Sequence, residues 1–442
     1  MTMNEKPRPR RRKHAVATGS NPTHSRSRAS STESSGSAAE PRAKRIAQAI
    51  ASVDLTELKQ LARTGGGLQT MRNRRRAWPL LLNFRSLTEP EPSDEEKPGE
   101  SAHPDEPQVA LDIVRTSLPK STEYRKDEAA TKKRQEQLGN VVCAVLRKYP
   151  WLGYYQGFHE LALTFLCVFG SERPAAEASK MVALFFVRDA MSSNLDNVLV
   201  QLQLLYVLLR TVSPDVHALL AELDVPPFFA ISWVLTWFAH DIDGFEDICR
   251  IYDFLIVSPP LQIVYMAAAL VKRNEHAILA CDRDFAIVHT TLAQLPQTVG
   301  DGEWRHIIAD SYCLERDYPA TKLQHMGNSH LPKLSAVNSF EATWRRLDPA
   351  QPRAFVGLVP ILNGCHPLVS ESASAASGSS GGGSNGRAVV NRMARVIDLT
   401  STAQKARDLA LQHRWPILFA TVASATMVMY AWLLVQQFQM HP

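Results

Sequence analysis

Two apolar segments, 138–146 (LGNVVCAVL) and 198–209 (VLVQLQLLYVLL), decide the fold class of this chain. In the first, apolar residues recur at the three- and four-residue spacing that places them on one face of a helix. The second is apolar almost all round, which is typical of a more deeply buried helix. Helical patterns and short Pro-containing breaks alternate from Val109 to about Met326, without the period-two alternation of strands. The sequence therefore predicts an all-α body.

The composition changes on both sides of this helical body. Residues 1–42 are rich in Arg, Ser, Pro and Thr and hold almost no large apolar residues, so they are predicted to be a disordered basic tail. Apolar residues recur at roughly helical spacing within 43–64, which predicts one N-terminal helix. The helical body is predicted to occupy 65–327. The remaining predicted segments are a helical extension (328–365), a flexible Ser/Gly linker (366–387), a juxtamembrane segment (388–414) and a transmembrane helix (415–435).

The positive charge of the chain is concentrated in its tail. The net charge is +5, and residues 1–45 alone hold eleven Lys or Arg residues against three Glu residues. The rest of the chain is therefore close to neutral and slightly acidic. A basic tail on a neutral body gives no reason to expect nucleic-acid binding by the helical body.

The six cysteines are scattered through the helical pattern without a CxxC pair or a His cluster at metal-ligand spacing. We expect no metal site, and reduced thiols in a cytosolic body. They are Cys143, Cys167, Cys249, Cys281, Cys313 and Cys365.

Residues 415–435 contain no Asp, Glu, Lys, Arg or His. Twenty-one helical residues span roughly 31 Å, which matches the hydrocarbon core of a bilayer. Lys405, Arg407 and Arg414 precede the segment, so the positive-inside bias predicts a cytosolic body. A buried core helix is the alternative, but the length, the lack of charge and the preceding linker favour a C-terminal tail anchor that contacts membrane lipid.

Two polar patterns stand out within the helical body. In the first, Val109, Asp112 and Arg115 share one broad face of a helix. Alone, such an Asp–Arg spacing is typical of an ordinary surface pair. In the second, Gln156 lies between Tyr154 and the glycine at 157, where a plain core helix would not place a carboxamide. Alone, this glutamine would be interpreted as a capping or packing residue.

Together, the two patterns resemble the IxxDxxR and YxQ motifs of the TBC-domain family of Rab GTPase-activating proteins. The resemblance covers about 65–327 and includes three further blocks in the family order. These blocks are the segment from Gly67 to Leu82 with its Arg72 and Trp78, the aromatic segment 233–241, and 251–255, which is similar to W-D-x-x-L. Val109 stands for the usual Ile and Tyr252 for the usual Trp. With its anchor, the chain is most similar to the endoplasmic-reticulum branch, which acts on Rabs of early secretory traffic.

The resemblance implies a division of labour between this chain and a GTP-bound Rab. Arg115 is expected to act as an arginine finger, and Gln156 to orient the attacking water in place of the Rab's own glutamine. Asp112, Tyr154 and Gly157 are expected to support these two residues. Mg²⁺ and GTP belong to the Rab, so the chain needs no cofactor of its own, and its sequence contains no GxxxxGK[ST] motif.

The sequence is also compatible with two other classes of function. One is a membrane-anchored scaffold that binds a Rab without catalysis, although both finger residues are present. The other is a membrane enzyme acting on lipid, with acid, base or metal-ligand roles for His159, Glu160, His240 and Asp241. No HExxH-like pair supports the second, because the adjacent His159 and Glu160 point different ways on a helix, which favours surface or supporting roles.

Overall fold

A computed structural model describes residues 41–84, 101–116, 118 and 128–344 of the chain. Every regular element in these ranges is helical, which confirms the predicted all-α body. Two short 3₁₀ turns, Arg188–Met191 and Pro227–Ala230, interrupt the α-helices. In chain order these are α1 (Arg42–Ala51), α2 (Leu55–Arg63), α3 (Met71–Leu81), α4 (Glu106–Arg115), α5 (Glu128–Lys148), α6 (Phe158–Phe169), α7 (Glu172–Phe185), α8 (Asp196–Val212), α9 (Pro214–Glu222), α10 (Ile231–Thr236), α11 (Phe245–Leu255), α12 (Gln262–Arg273), α13 (Glu275–Leu279), α14 (Phe285–Thr298), α15 (Trp304–Asp317), α16 (Ala320–Gly327) and α17 (Ala336–Trp344).

The segment 43–64 forms two helices, so the prediction of one continuous helix was wrong. Val53 adopts the left-handed conformation (φ 54°), which ends the first helix. Asp54 then caps the second, because its carboxylate accepts a hydrogen bond from the Glu57 amide at 3.0 Å. Both helices present the same kind of apolar face, and spacing alone therefore did not reveal the break.

Two arginines fix the C-terminal end of α2 by binding backbone carbonyls. The Arg250 guanidinium donates to the carbonyls of Ala62, Arg63 and Gly65 at 3.0–3.2 Å. Arg42 donates to the carbonyls of Leu61, Thr64 and Gly67. Cations are favoured here because the last carbonyls of a helix have no partner within the helix and carry partial negative charge.

A buried carboxylate joins α3 to α11. Asp253 is fully buried, and it accepts hydrogen bonds from Trp78 Nε1 at 2.8 Å and Arg74 Nε at 3.2 Å. The Leu68 amide donates to the same carboxylate at 3.0 Å. The sequence analysis names Arg72 together with Trp78 in the segment 67–82. In the structure Arg72 is exposed, and Arg74 is the arginine that is buried beside Trp78.

We expect Arg74→Met to lower the free energy of unfolding by about 3 kcal/mol, because it leaves the Asp253 charge buried without its cation. Arg72→Met removes an equal side chain from the exposed face of α3 and serves as the matched control. Urea unfolding measures both. Equal losses in the two variants would show that the buried pair adds nothing beyond the general cost of the substitution.

The interior of the domain centres on α12, which packs against α8 and α15. In the described ranges, no single helix is both long and apolar enough to cross a membrane. One pair, α9 with Pro227–Thr236, passes that test by length and composition but is bent by 120°. The predicted transmembrane helix 415–435, both segments between 366 and 414, and residues 1–40 of the basic tail lie outside the described residues.

Candidate catalytic site

Helix α4 presents Arg115 at its C-terminal end. Val109 and Ile113 are buried on one side of this helix, whereas Leu111, Val114 and Arg115 face solvent. The Arg115 guanidinium makes no hydrogen bond or ion pair with any residue that the structure describes. An extended cation without an internal partner is available to an anionic group on another molecule.

The helix that holds Arg115 is itself fixed to α5 by a two-pronged ion pair. Arg147 donates from Nε and Nη2 to the two oxygens of Glu106 at 2.6 and 2.7 Å. The hydrogen bond from Arg147 lowers the pKa of Glu106 to about 2, so the pair stays charged at neutral pH. This anchor lies at the first turn of α4, nine residues before Arg115.

Gln156 lies on a loop, residues 153–157, whose other members are tied to the domain. The Gly153 amide donates to the Met191 carbonyl at 2.8 Å. The Tyr155 hydroxyl donates to the Leu235 carbonyl at 2.8 Å from a fully buried position. Gln156 is only half-buried, and its carboxamide has no hydrogen-bond partner among the described residues. The loop therefore holds a free carboxamide on a fixed backbone.

Gly157 ends this loop and begins α6 in a conformation that suits only glycine. Its φ is 118°, and a Cβ at this position would lie 3.0 Å from Cγ2 of Thr236. A side chain here would strain the backbone and push the loop away from Thr236. This explains physically why the glutamine is followed by glycine.

One hydrogen bond joins the two motifs that the sequence separates by about forty residues. The Tyr154 hydroxyl donates to Asp112 Oδ2 at 2.9 Å, and the Tyr154 amide donates to Asp105 Oδ2 at 2.7 Å. Gln108 donates to the other oxygen of Asp112 at 3.1 Å. Burial and the neighbouring Asp112 carboxylate raise the pKa of Tyr154 far above its usual value, so the hydroxyl keeps its proton. The helix that carries Arg115 and the loop that carries Gln156 are thus held together directly.

His159 lies behind this bond, and the sequence did not predict its role. Its Nδ1 atom is 2.7 Å from the Tyr154 oxygen. Because the hydroxyl proton is given to Asp112, Nδ1 must carry a proton and donate to Tyr154. Burial lowers the pKa of His159, which favours the neutral imidazole over the charged form. The imidazole thereby aims the tyrosine proton at Asp112.

Glu160, His240 and Asp241 were the other candidates for lipid chemistry. The first two form an ion pair, and the third is bound by a neighbouring hydroxyl. Glu160 accepts from His240 Nδ1 at 2.7 Å. This bond raises the pKa of His240 to about 9. Burial alone would raise the pKa of Glu160, but the hydrogen bond and charge of His240, with a smaller contribution from His159, together lower it. Asp241 accepts from the Ser232 hydroxyl at 2.8 Å. Among the described residues, no group of three His, Cys, Asp or Glu side chains is placed to hold a metal ion.

We expect Tyr154→Phe to lower the catalytic rate about tenfold, because the link between the two motifs is lost, and to lower the free energy of unfolding by about 1–3 kcal/mol, because Asp112 loses a donor. Tyr206→Phe is the control, since the buried Tyr206 hydroxyl has no hydrogen-bond partner among the described residues. Single-turnover hydrolysis by a partner GTPase, with urea unfolding alongside, measures both effects. An unchanged rate in Tyr154→Phe would mean that the link does not position the site.

Comparison with known proteins shows which domain family the sequence resembles. Residues 71–279 match the family model described as the Rab-GTPase-TBC domain. TBC1 domain family member 20 of Mus musculus is 38% identical over 261 residues, which cover 58% of this chain and 64% of that protein. GTPase-activating protein gyp10 of Schizosaccharomyces pombe is 30% identical over 256 residues, covering 57% and 66%. The matched region thus spans less than two thirds of either relative.

Among solved structures, the Ypt/Rab-GAP domain of Gyp1p aligns with a TM-score of 0.45 and 16% identity, over 62% of this chain and 99% of that one. The family match itself rests on the sequence. It contains both motifs, from the helix of Asp112 and Arg115 to the loop of Gln156. The family model and the two relatives show that residues 71–279 of this chain match the Rab-GTPase-TBC domain.

Proposed function

We propose that the chain is a GTPase-activating protein for a GTP-bound Rab-family GTPase, and that Arg115 and Gln156 enter the nucleotide site of that partner. The observation that carries the proposal is the bond between Tyr154 and Asp112, which fixes two unpartnered polar side chains relative to each other. The gyp10 relative is named as a GTPase-activating protein, which agrees with this activity.

Arg115 supplies the positive charge in this mechanism. Hydrolysis of GTP spreads negative charge over the oxygens of the γ-phosphoryl group, and a guanidinium offers a planar fork of donors to them. An arginine side chain is charged throughout the physiological pH range, so the positive charge is always present. Because α4 is anchored through Glu106, the backbone that carries Arg115 is already ordered before the partner binds.

Gln156 aligns the attacking water. A carboxamide both donates and accepts hydrogen bonds, so it can hold a water molecule and a neighbouring group at once. A carboxamide is not a base, so Gln156 orients the water without taking its proton, which passes to the phosphate product. The GTPase holds the nucleotide and Mg²⁺, and this chain contributes only side chains, which makes it an activator in trans rather than an enzyme by itself.

An exposed apolar strip beside the finger is suited to contact the GTPase. Leu111 is 54% exposed and Val114 is 76% exposed, on the same helix as Arg115. Large apolar side chains next to an unpartnered cation are typical of a docking surface, where burial supplies affinity and the charge supplies specificity.

Purified Rab GTPases loaded with GTP, each assayed with and without the protein, test the proposal. We expect strong acceleration of hydrolysis for a small subset of them. Binding of GTP-loaded Rabs without acceleration would instead support the scaffold function, and acceleration of none with binding of none would reject both.

We further propose that residues 415–435 anchor the chain in a membrane, with the TBC domain on the cytosolic side. Their uncharged, apolar composition supports this, and the resemblance to the endoplasmic-reticulum branch favours that membrane and a role in transport from the endoplasmic reticulum to the Golgi. Deletion of 415–442 should move the protein from the membrane pellet to the soluble fraction after a carbonate wash. Deletion of the linker 370–386 is the control, and it should leave the protein in the pellet.

A further inference from the structure

Helix α17 lies beyond the matched region 71–279, yet two buried charged residues are used to hold it. Asp189 accepts from the Ala336 amide at 2.8 Å, at the start of α17, and from Gln201 at 3.1 Å. Arg188 donates to the Ser339 hydroxyl at 2.8 Å, within α17. Both charged residues belong to the 3₁₀ turn Arg188–Met191.

The same 3₁₀ turn supports the loop that carries Gln156. Its last residue, Met191, accepts the hydrogen bond from the Gly153 amide at 2.8 Å. Gly153 is three residues from Gln156, and the turn is only four residues long. A displacement of Arg188 and Asp189 is therefore transmitted to the backbone of the loop through one short, buried connection.

A second, aromatic connection reaches the other side of that loop. Phe340 and Trp344 of α17 pack against Phe186, with ring centroids 5.3 and 5.4 Å apart. Phe186 packs in turn against Trp237 at 5.7 Å. Trp237 adopts a left-handed conformation directly after Thr236, the residue whose methyl group abuts Gly157. The loop thus rests at one end on the 3₁₀ turn whose Arg188 and Asp189 contact α17. At its other end it rests on Thr236, whose neighbour Trp237 packs against Phe186.

We infer that α17 is a positioning element for Gln156, acting through the 3₁₀ turn Arg188–Met191 and through Phe186 and Trp237. The inference rests on the proposed function, because it assigns α17 to the glutamine half of that site. The arginine half is joined to the loop through Tyr154, but it has an additional support that α17 does not touch, since α4 is anchored by Arg147 of α5. Loss of α17 contacts should therefore act mainly through Gln156.

The test uses the full chain and a double-mutant design. Trp344→Ala removes the half-buried aromatic end of α17, and Ser339→Ala removes one hydrogen bond to Arg188 with little change of volume. Ala342→Gln, on the exposed face of the same helix, is the matched control. Each variant is made in the native background and with Gln156→Ala, and single-turnover hydrolysis by a responsive Rab is measured at saturating protein together with Rab affinity.

We expect Trp344→Ala to lower the saturated rate about tenfold and Ser339→Ala about threefold, with Rab affinity changed less than about twofold. In the Gln156→Ala background both effects should shrink below about twofold, because there is no carboxamide left to misplace. A purely structural role predicts equal losses in the two backgrounds, and that result would overturn the inference. So would an unchanged rate in both variants of α17.

Hydrogen exchange separates failure of this inference from failure of the proposed function. The Gly153 amide should exchange faster in Trp344→Ala and in Ser339→Ala than in the native protein, whatever the protein does to a Rab. If no Rab responds but Gly153 loses protection, the proposed function fails while the connection stands. If Gly153 keeps its native protection in both variants, the connection itself is rejected.

Discussion

Replacing Arg115 by alanine should reduce the stimulated rate of GTP hydrolysis by about 10³-fold or more, since an arginine finger supplied in trans contributes about 10³–10⁵. Arg115→Lys should fail nearly as badly, because lysine keeps the charge but loses the planar fork of donors. Arg115 is exposed and unpartnered within the described part of the chain, so neither change should affect folding. Single-turnover hydrolysis measures the loss.

Arg76→Ala, at an exposed arginine of α3, controls for a general loss of positive charge and should leave the rate near that of the native protein. Affinity for the GTP-loaded Rab should survive in both Arg115 variants, because Leu111 and Val114 remain. Near-normal stimulation by either Arg115 variant would remove this residue from the mechanism.

Gln156→Ala should reduce the stimulated rate by about 10²-fold, comparable to the loss of one preorganised hydrogen-bonding group in other active sites. Gln156→Glu is the sharper variant, since it keeps the size but loses both amide donors and adds a negative charge close to the phosphates. We expect it to be at least as damaging as alanine. Stopped-flow measurement of phosphate release, with excess activator, gives the rates directly.

Gln60→Ala, on the exposed face of α2, is the matched control for loss of a surface glutamine. If Gln156→Ala proved fully active while Arg115→Ala was inactive, the GTPase would be using its own glutamine. The chain would then be a single-finger activator, and the anchoring of the loop 153–157 would need another explanation.

The sequence predicted the all-α body because its apolar spacing is local information that a helix expresses directly. It also pointed to Arg115 and Gln156, through motifs whose order and spacing resemble a known family, and their role stays a prediction. It did not reveal how Asp112 and Tyr154 work together, since their bond joins positions 42 residues apart. It did not predict the break at Val53, which depends on the cap that begins the next helix. Nor did it predict that Arg74 and not Arg72 is buried, because the partner of Arg74 lies far away in the chain.

His159 shows most clearly why the sequence alone does not predict which side chains position the site. Next to Glu160 on a helix, it was considered as a possible ligand or base, and its neighbours in sequence gave no hint of Tyr154. Only the turn of the backbone at Gly157 brings the imidazole behind the tyrosine hydroxyl. The role of α17 was hidden for the same reason, since its contacts at Asp189 and Phe186 lie about 150 residues away in the chain.

The hydrogen bonds from Arg42 and Arg250 to the carbonyls at the end of α2 affect which substitutions, insertions and deletions this part of the chain tolerates. Every residue type has a carbonyl, so exchanging a side chain there leaves the acceptors in place; Gly66, where an added Cβ meets nothing within 4 Å, is the most permissive position. Gly65 and Gly67 are exceptions, since both have a positive φ, and a Cβ would lie 3.0 Å from Arg42 at the first and 2.5 Å from Asp253 at the second. Inserting or deleting one residue, in contrast, shifts every acceptor past its arginine. Variation in this turn should therefore be frequent in residue type and rare in length.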